Sequence, residues 1–317
     1  MNKPFRVAGH AFALLLALGA CTSSQSAHPA ASPGLRSSPS PSPSGTATLE
    51  LLEAIRGLAL PNPAPQPPPA PQPVVVRGMY GRDSSATGLD RIRDAGFNTV
   101  TVQPDRSDLD ALQRAGMRGI VWLWGYDDDT CTFNHSDDQI RAEIARIADH
   151  PAIAAYQIDD EPGDARTHGC PRVAQQIRAR SRLVKSIDRG ATTYLVMSTY
   201  DGVEEFPYQY FAGTTDIMGL DVYPYNENGA HPELIDRAIR EANKDHVPRY
   251  WAILQDFRDD YYVTPSASQL REQFTRWRRS RMEGYFVYHW NRGDIEDRPS
   301  HLRIYASENA RPVPSRS

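Results

Sequence analysis

The stretch that decides the fold is His150-Pro151-Ala152-Ile153-Ala154-Ala155-Tyr156-Gln157-Ile158-Asp159-Asp160-Glu161-Pro162. It predicts a short apolar strand that begins at a His-Pro turn, ends in three consecutive carboxylates and is stopped by a proline. Because side chains alternate along a strand, outward packing of Tyr156 and Ile158 would point Gln157, Asp159 and Glu161 into whatever the sheet encloses. An acidic end on an apolar strand indicates a functional site. The alternative is a solvated turn, where acidic residues are common.

The rest of the chain supplies seven more units of a strand followed by a helical or irregular segment. The other predicted strands are residues 74–81, 98–103, 118–125, 193–199, 216–223, 250–255 and 284–291. The predicted helices are residues 89–95, 109–115, 137–148, 172–187, 232–243, 267–279 and 301–307, with an irregular segment at 204–211. Alternation at about 30 residues per unit implies parallel strands with right-handed crossovers. We therefore predict an α/β fold with a single (β/α)8 TIM barrel over residues 74–311, close to the usual ~250 residues.

The first 21 residues have the features of an export signal. Lys3 and Arg6 precede an apolar core at residues 11–18, which is too short to predict a membrane-spanning helix. The following Leu18-Gly19-Ala20-Cys21 resembles the lipobox of bacterial lipoproteins. That resemblance implies cleavage before Cys21, a lipid on its thiol, and anchoring to the bacterial cell membrane or the outer membrane. The alternative is an ordinary signal peptide with an incidental cysteine.

Residues 22–73 have the composition of a tether between this signal and the barrel. Residues 22–45 are rich in Ser, Pro and Ala, so little apolar surface is available to offset the entropy of ordering. Residues 61–73 are proline-rich and predict a stiff polyproline II spacer. Between them, residues 46–60 carry leucine and isoleucine at helical spacing and predict one marginal helix. Residues 312–317 form a short tail.

Charge and cysteine content restrict the partners. The net charge is -4 and there is no basic run, so we expect no nucleic-acid partner, and we expect a monomer. Cys131 and Cys170 lie in the loops after adjacent strands three and four, and in an oxidising compartment they predict a disulfide. The alternative, a metal pair, lacks a nearby Cys-x-x-Cys or His-x-x-x-His spacing. We therefore expect no metal and no cofactor.

The last inward-facing residues of the predicted strands are mostly aromatic, amide or acidic. In chain order they are Tyr80, Arg82, Gln103, Trp122, Trp124, Tyr126, Asp159, Glu161, Ser198, Tyr200, Asp221, Tyr223, Gln255 with Asp256, Tyr288 and Trp290 with Asn291. Aromatic faces stack on the apolar side of sugar rings, and amides and carboxylates pair with vicinal hydroxyls. We predict a carbohydrate site. Its substrate-binding residues would be Tyr80, Gln103, Trp124, Asp159, Asp160, Tyr200, Tyr223, Gln255, Asp256 and Trp290. For a single aromatic residue, such as Trp122 or Tyr288, the alternative is core packing.

These motifs resemble those of the TIM-barrel glycoside hydrolases of clan A. They are the stretch quoted above, Asp-Ile-Met-Gly-Leu-Asp-Val-Tyr-Pro-Tyr on strand six, Trp-Ala-Ile-Leu-Gln-Asp-Phe on strand seven and Gly-Tyr-Phe-Val-Tyr-His-Trp-Asn on strand eight. The resemblance is closest to a bacterial branch with Asp-Glu-Pro on strand four. It implies that Glu161 is the acid/base residue and that Asp160 occupies the place of an asparagine. The family's nucleophile, a glutamate at the end of strand seven, is replaced by Gln255, which cannot attack an anomeric carbon.

Glycoside cleavage needs a second carboxyl group besides Glu161. Neighbouring acids and burial are expected to raise the pKa of Glu161, as suits a proton donor. Asp221 is the favoured partner because it shares the inward phase of strand six, and Asp256 is the alternative. A carboxyl separation of about 5–5.5 Å would predict retention of configuration, and about 6.5–9.5 Å inversion.

Three functions remain at this point. The first hypothesis is a lipid-anchored glycoside hydrolase that acts on an oligo- or polysaccharide. The second is a barrel that binds glycans without cleaving them. The third, metal-dependent hydrolysis, lacks the His-x-His on strand one that such barrels usually carry.

Overall fold

The computed structural model describes residues 76–81, 86–163, 170–198, 206, 208–288, 290 and 298–311. The chain divides into two units, Met1–Gln66 and Pro67–Ser317, and every described residue belongs to the second. The predicted signal peptide with Cys21, the tether, the helix at 46–60 and the tail therefore lie outside the described residues. Within the described residues, no helix is both long and apolar enough to span a membrane.

Eight parallel strands form a closed barrel, as predicted. They are β1 (Val76–Met79), β2 (Thr99–Val102), β3 (Arg118–Trp122), β4 (Ile153–Asp160), β5 (Thr193–Ser198), β6 (Ile217–Asp221), β7 (Tyr250–Gln255) and β8 (Gly284–Tyr288). Each strand pairs with its neighbours along the chain, and β8 pairs with β1 to close the ring. All eight carboxyl ends therefore meet at one end of the barrel.

A helical segment follows each strand. These segments are α1 (Ala86–Asp94), α2 (Arg106–Arg114), α3 (Asp137–Ile147), α4 (Val173–Ile187), α5 (Tyr208–Phe211), α6 (Glu233–Lys244), α7 (Ala267–Trp277) and α8 (Pro299–Asn309). Ser136 and Ser266 begin α3 and α7 with capping boxes, in which a serine and the glutamine three residues later satisfy each other's backbone amides. Helices α1 and α2 begin three residues earlier than predicted, because their first residues, Ala86-Thr87-Gly88 and Arg106-Ser107-Asp108, include no large apolar side chain.

Alternating side chains of the strands divide the core into two layers. Ile120, Tyr194, Ile253 and Phe286 belong to the cluster inside the barrel. The outward-facing side chains pack with the helices in a second and larger cluster, which includes Ile158. The barrel interior is thus filled below its open end, so a ligand can approach only from the ends of the strands.

The loops at the carboxyl ends of the strands are tied together in pairs. The loop after β3 contains a hairpin of Tyr126–Asp127 and Thr132–Phe133, and the predicted Cys131–Cys170 disulfide joins it to the loop after β4. The loop after β6 contains a second hairpin, Tyr225–Asn226 with Gly229–Ala230. A bridge between Asn226 and Tyr262 extends this hairpin to the loop after β7.

Candidate active site

The end of β4 departs from the regular alternation that the sequence predicts. The register of β4 against β5 shifts between Gln157 and Asp159, which is the signature of a β-bulge. Asp160, rather than Asp159, consequently faces the interior, where it interacts electrostatically with Tyr80 and Tyr194. The predicted inward phase of Asp159 is therefore wrong.

Asp159 holds the loop after β3 instead of facing the opening. Its side chain is buried, and its Oδ1 accepts a hydrogen bond of 2.9 Å from the backbone N–H of Tyr126. Burial raises the pKa of the Asp159 carboxyl well above its usual range. Because it is covered by this loop, the predicted contact of Asp159 with substrate is wrong.

Glu161 ends the strand in a left-handed backbone conformation, with φ of 55°. This conformation is uncommon for a residue with a side chain, and such residues cluster at functional sites. It also breaks the alternation, so that consecutive Asp160 and Glu161 are both solvent-exposed. The Glu161 carboxyl group hydrogen bonds to the side chains of Asp221 and Ser198.

Asp221, at the end of β6, is the carboxyl partner that the sequence favours for Glu161. Its side chain is 6% exposed and contacts both Glu161 and Tyr223. Its Oδ1 has no hydrogen-bond partner among the described residues, which leaves this oxygen to accept from a ligand or from a protonated Glu161. The carboxyl groups of Asp221 and Glu161 are in hydrogen-bonding contact.

Desolvation by the surrounding protein is the largest cause of the raised pKa of all three carboxyl groups. Together with the charge of Glu161, it raises the pKa of Asp160 to about 7. The pKa of Glu161 is raised, and that of Asp221 is well above its usual range because the charge of Glu161 adds to burial. The side chains of Asp160 and Glu161 are accessible to solvent, but protein atoms surround them on most sides. This combination is typical of side chains that line an open cavity. The raised pKa values favour a proton shared between Glu161 and Asp221.

Three tyrosines form an aromatic wall beside these carboxyl groups. Tyr80, Tyr223 and Tyr288 are all partly exposed, and the ring of Tyr288 lies 6.2 Å from that of Tyr80 and 6.3 Å from that of Tyr223. The Tyr80 hydroxyl lies 2.9 Å from the hydroxyl of Tyr194 inside the barrel. Tyr194 was not among the predicted site residues, although it shares the inward phase of β5 with Ser198.

Gln103 follows β2 and is partly exposed. Its Oε1 atom is buried and has no hydrogen-bond partner among the described residues. An unpartnered acceptor of this kind is suited to a ligand hydroxyl. Gln103 therefore stays a candidate substrate-binding residue, whereas Tyr200, Arg82 and Asn291 lie outside the described residues.

Gln255 does not face the opening. Its side chain is fully buried, accepts a hydrogen bond of 2.9 Å from the N–H of Tyr225 and donates to the carbonyl oxygens of Tyr225 and Val263. The amide is thus a brace between the loops after β6 and β7. Its predicted substrate contact is wrong because the side chain is fully buried and both its amide nitrogen and its amide oxygen are bonded to backbone.

Asp256 faces outward and is also fully buried. It accepts a hydrogen bond of 2.7 Å from the Tyr305 hydroxyl, lies 2.8 Å from His301 Nδ1, and forms an ion pair with Arg298. These partners belong to α8 or directly precede it, so Asp256 attaches this helix to the barrel. Both its predicted substrate contact and its alternative role as the second catalytic carboxylate are wrong.

Trp124 and Trp290, the two tryptophans predicted to bind substrate, do not lie where the sequence predicts. Trp290 is 2% exposed and belongs to the core between barrel and helices, so it offers no face to a sugar. Trp124 has φ of 68°, stacks on His135 at 4.6 Å and donates from Nε1 to Glu143 of α3. The strand has already ended at Trp122, and the predicted inward placement of Trp124 is wrong.

Within the described part of the chain, no group of three or more His, Cys, Asp or Glu side chains is arranged to hold a metal ion.

Comparison with known proteins gives a fold but no family. No family model matches the sequence, and no curated protein does. Among solved structures, the endo-β-1,4-mannanase from Thermotoga petrophila is 12% identical with a TM-score of 0.54, and the match covers 78% of each chain. The β-galactosidase from Marinomonas ef1 is 12% identical, with a TM-score of 0.51 and coverage of 68% of this chain and 54% of that one.

A third match is the β-glucuronidase from Bacteroides uniformis, which is 14% identical with a TM-score of 0.50, over 69% of this chain and 30% of that one. Several of the matched proteins are considerably longer, and the chain spans between 27% and 54% of their length. At these identities the matches show a shared barrel fold.

Proposed function

We propose that this protein is a glycoside hydrolase that cleaves an oligo- or polysaccharide by carboxylate chemistry. The observation that carries the proposal is the direct contact between the Glu161 and Asp221 carboxyl groups at the ends of β4 and β6. In barrels of this type, catalytic residues lie at the carboxyl ends of several different strands. The fold shared with a mannanase, a β-galactosidase and a β-glucuronidase supports the proposal.

The carboxyl pair has the properties of a proton donor. Cleavage of a glycoside requires a proton on the leaving oxygen, delivered by a carboxyl group whose pKa is raised. Glu161 is the exposed member of the pair and can reach a ligand, whereas Asp221 is buried. Glu161 is therefore the catalytic acid, and Asp221 holds the shared proton and orients it.

The walls of the site suit a carbohydrate. Tyr80, Tyr223 and Tyr288 offer partly exposed rings for stacking on a sugar, and the partly exposed Gln103 has an amide oxygen without a partner among the described residues, which can accept from a sugar hydroxyl.

The proposal is tested by incubating the purified protein with a panel of polysaccharides and of α- and β-configured 4-nitrophenyl glycosides. We expect new reducing ends or released nitrophenol from at least one substrate. A panel that gives no product after long incubation, with preparations whose folding is verified by circular dichroism, contradicts hydrolysis.

The second candidate function is glycan binding without cleavage. It is favoured by the braced Gln255, which leaves the end of β7 without a carboxylate facing the opening, where clan A barrels have their nucleophile. Retention on an immobilised glycan, in the absence of any product from the same glycan, selects this function.

We also propose that the protein is exported and anchored by a lipid on Cys21, because the sequence from Leu18 to Cys21 resembles a lipobox. Expressed in a bacterial host, the protein is expected in the membrane fraction and to be released by detergent. Cys21→Ser removes the thiol that would carry the lipid and is expected to leave that fraction, whereas Thr22→Ser is expected to remain in it. The same distribution for both variants contradicts lipid anchoring.

A further inference from the structure

The turn after β4 sets the direction in which Glu161 points. Glu161 has φ of 55°, and its N–H donates to the carbonyl oxygen of Val196 in β5 over 3.1 Å. A residue with a side chain keeps a left-handed conformation only where the surrounding structure fixes it. In extended backbone, Glu161 would point to the side of the sheet opposite Asp160. Its contact with Asp221 therefore depends on this turn.

Asp128, in the loop after β3, holds the chain beyond Glu161. Pro162 has no N–H, so the first backbone donor after Glu161 belongs to Gly163. Gly163 is buried, and its N–H lies 3.0 Å from each of the two carboxylate oxygens of Asp128. A buried N–H needs an acceptor, and Asp128 supplies one. The turn is thus fixed two residues beyond Glu161.

Asp128 is placed by hydrogen bonds inside its own hairpin. Asp127 Oδ1 accepts from the N–H groups of Asp129 and Thr130, at 2.9 and 3.0 Å. Asp127 also pairs with the strand on the other side of the hairpin. The position of Asp128 therefore does not depend on a contact with the carboxyl pair at the opening.

The loop after β3 contacts β4 both before and after its exposed carboxylates. Before them, the N–H of Tyr126 donates to Asp159. After them, Asp128 accepts from Gly163. The two contacts run in opposite senses, with a backbone donor from the loop in the first and a side-chain acceptor from the loop in the second. Only the second lies in the turn that follows Glu161.

We propose that Asp128 is a positioning residue that aims Glu161 for proton transfer by accepting the hydrogen bond from Gly163. With this bond, the turn after β4 keeps the Glu161 carboxyl group against Asp221. Without it, the buried N–H of Gly163 loses this acceptor, and the turn has to move to satisfy it. Asp128 acts through the backbone and not on the substrate. This inference rests on the proposed hydrolase function.

The test compares Asp128→Ala, which removes the acceptor, with Asp128→Asn, which keeps an oxygen that can accept from Gly163. On a glycan that the wild type cleaves, Asp128→Ala is expected to lower kcat by about 10²-fold, the scale of a misplaced catalytic group, with a much smaller change in KM. On a 2,4-dinitrophenyl glycoside the loss is expected to be small, because this leaving group needs no proton. Asp128→Asn is expected to recover most of the lost kcat.

Asp129→Ala is the matched control, because it removes the neighbouring exposed carboxylate, and it is expected to keep wild-type rates. Rates are compared at a temperature at which circular dichroism shows all three variants to be folded. Equal losses on both substrates for Asp128→Ala, or an Asp128→Asn variant that is as slow as Asp128→Ala, overturn the inference while leaving hydrolysis standing.

Crystal structures of the wild type and of Asp128→Ala give a measurement that does not depend on turnover. In the variant, Glu161 is expected to leave the left-handed region and to lose its contact with Asp221. An unchanged Glu161 in the variant overturns the inference. A wild-type protein that cleaves nothing on the panel overturns the proposed function itself, and the two crystal structures then still decide whether Asp128 sets the conformation of Glu161.

Discussion

Glu161→Gln is expected to lower kcat/KM for a glycan with an unactivated leaving group by about 10²–10⁴-fold, because Gln keeps the shape and hydrogen bonding of the side chain but carries no transferable proton. The loss is expected to be much smaller for a 2,4-dinitrophenyl glycoside, whose leaving group departs without proton assistance. Initial rates on both substrates, measured at one pH, give the two ratios.

The control for this change is Glu233→Gln, at the exposed start of α6, which makes the same chemical change away from the strand ends. It is expected to leave both rates unchanged. Equal losses on both substrates for Glu161→Gln, or no loss on either, contradict the role of Glu161 as proton donor. A shared midpoint of thermal unfolding for the two variants establishes that folding is not the cause.

Replacement of both Cys131 and Cys170 by serine is expected to give the largest change in stability. The disulfide closes a loop of 39 residues, and loop-closure entropy predicts a loss of about 4 kcal/mol in the free energy of unfolding. Denaturant unfolding of the wild type and the double variant, without reductant, measures this difference.

A thiol reductant provides the control for the double serine variant. It is expected to bring the wild-type midpoint close to that of the variant and to leave the variant's own midpoint unchanged. Identical midpoints for the two proteins without reductant would show that the cross-link does not stabilise the fold. Because the loops after β3 and β4 flank Glu161, the variant is also expected to raise KM more than it lowers kcat.

Local periodicity was sufficient to predict the barrel. Strand β7 has the predicted bounds, and the other strands lie within their predicted ranges, because alternating and continuous apolar patterns are properties of consecutive residues. The pairing of Cys131 with Cys170 also follows from the order of the strands, since β3 and β4 are neighbours in the barrel.

The errors in the candidate site have a common physical cause. The predicted site residues assume that inward and outward alternation continues past the ends of the strands, but β3 ends at Trp122 and β8 ends at Tyr288. Trp124 instead packs against the core and Trp290 lies within it. Alternation holds only while the extended conformation holds.

The prediction that Asp159, rather than Asp160, faces the barrel interior was wrong for a different physical reason. The register shift in β4 depends on its pairing with β5, about 35 residues later in the chain, and no pattern within β4 itself signals it. Glu161 and Asp221 come together because the strands β4 and β6, which lie on either side of β5, both end at the opening of the closed barrel. The contact between their carboxyl groups is a property of side-chain packing.

The hydrogen bonds of Gln255 determine what would follow if this residue were replaced by a glutamate nucleophile. A glutamate there would aim its negative oxygen at the carbonyl oxygens of Tyr225 and Val263, which now accept from the amide nitrogen. That single exchange would create electrostatic repulsion in a sealed interior instead of a nucleophile in contact with sugar. Two loops would have to be rebuilt first, so a single substitution at this position cannot supply a nucleophile like the strand-seven glutamate of clan A enzymes.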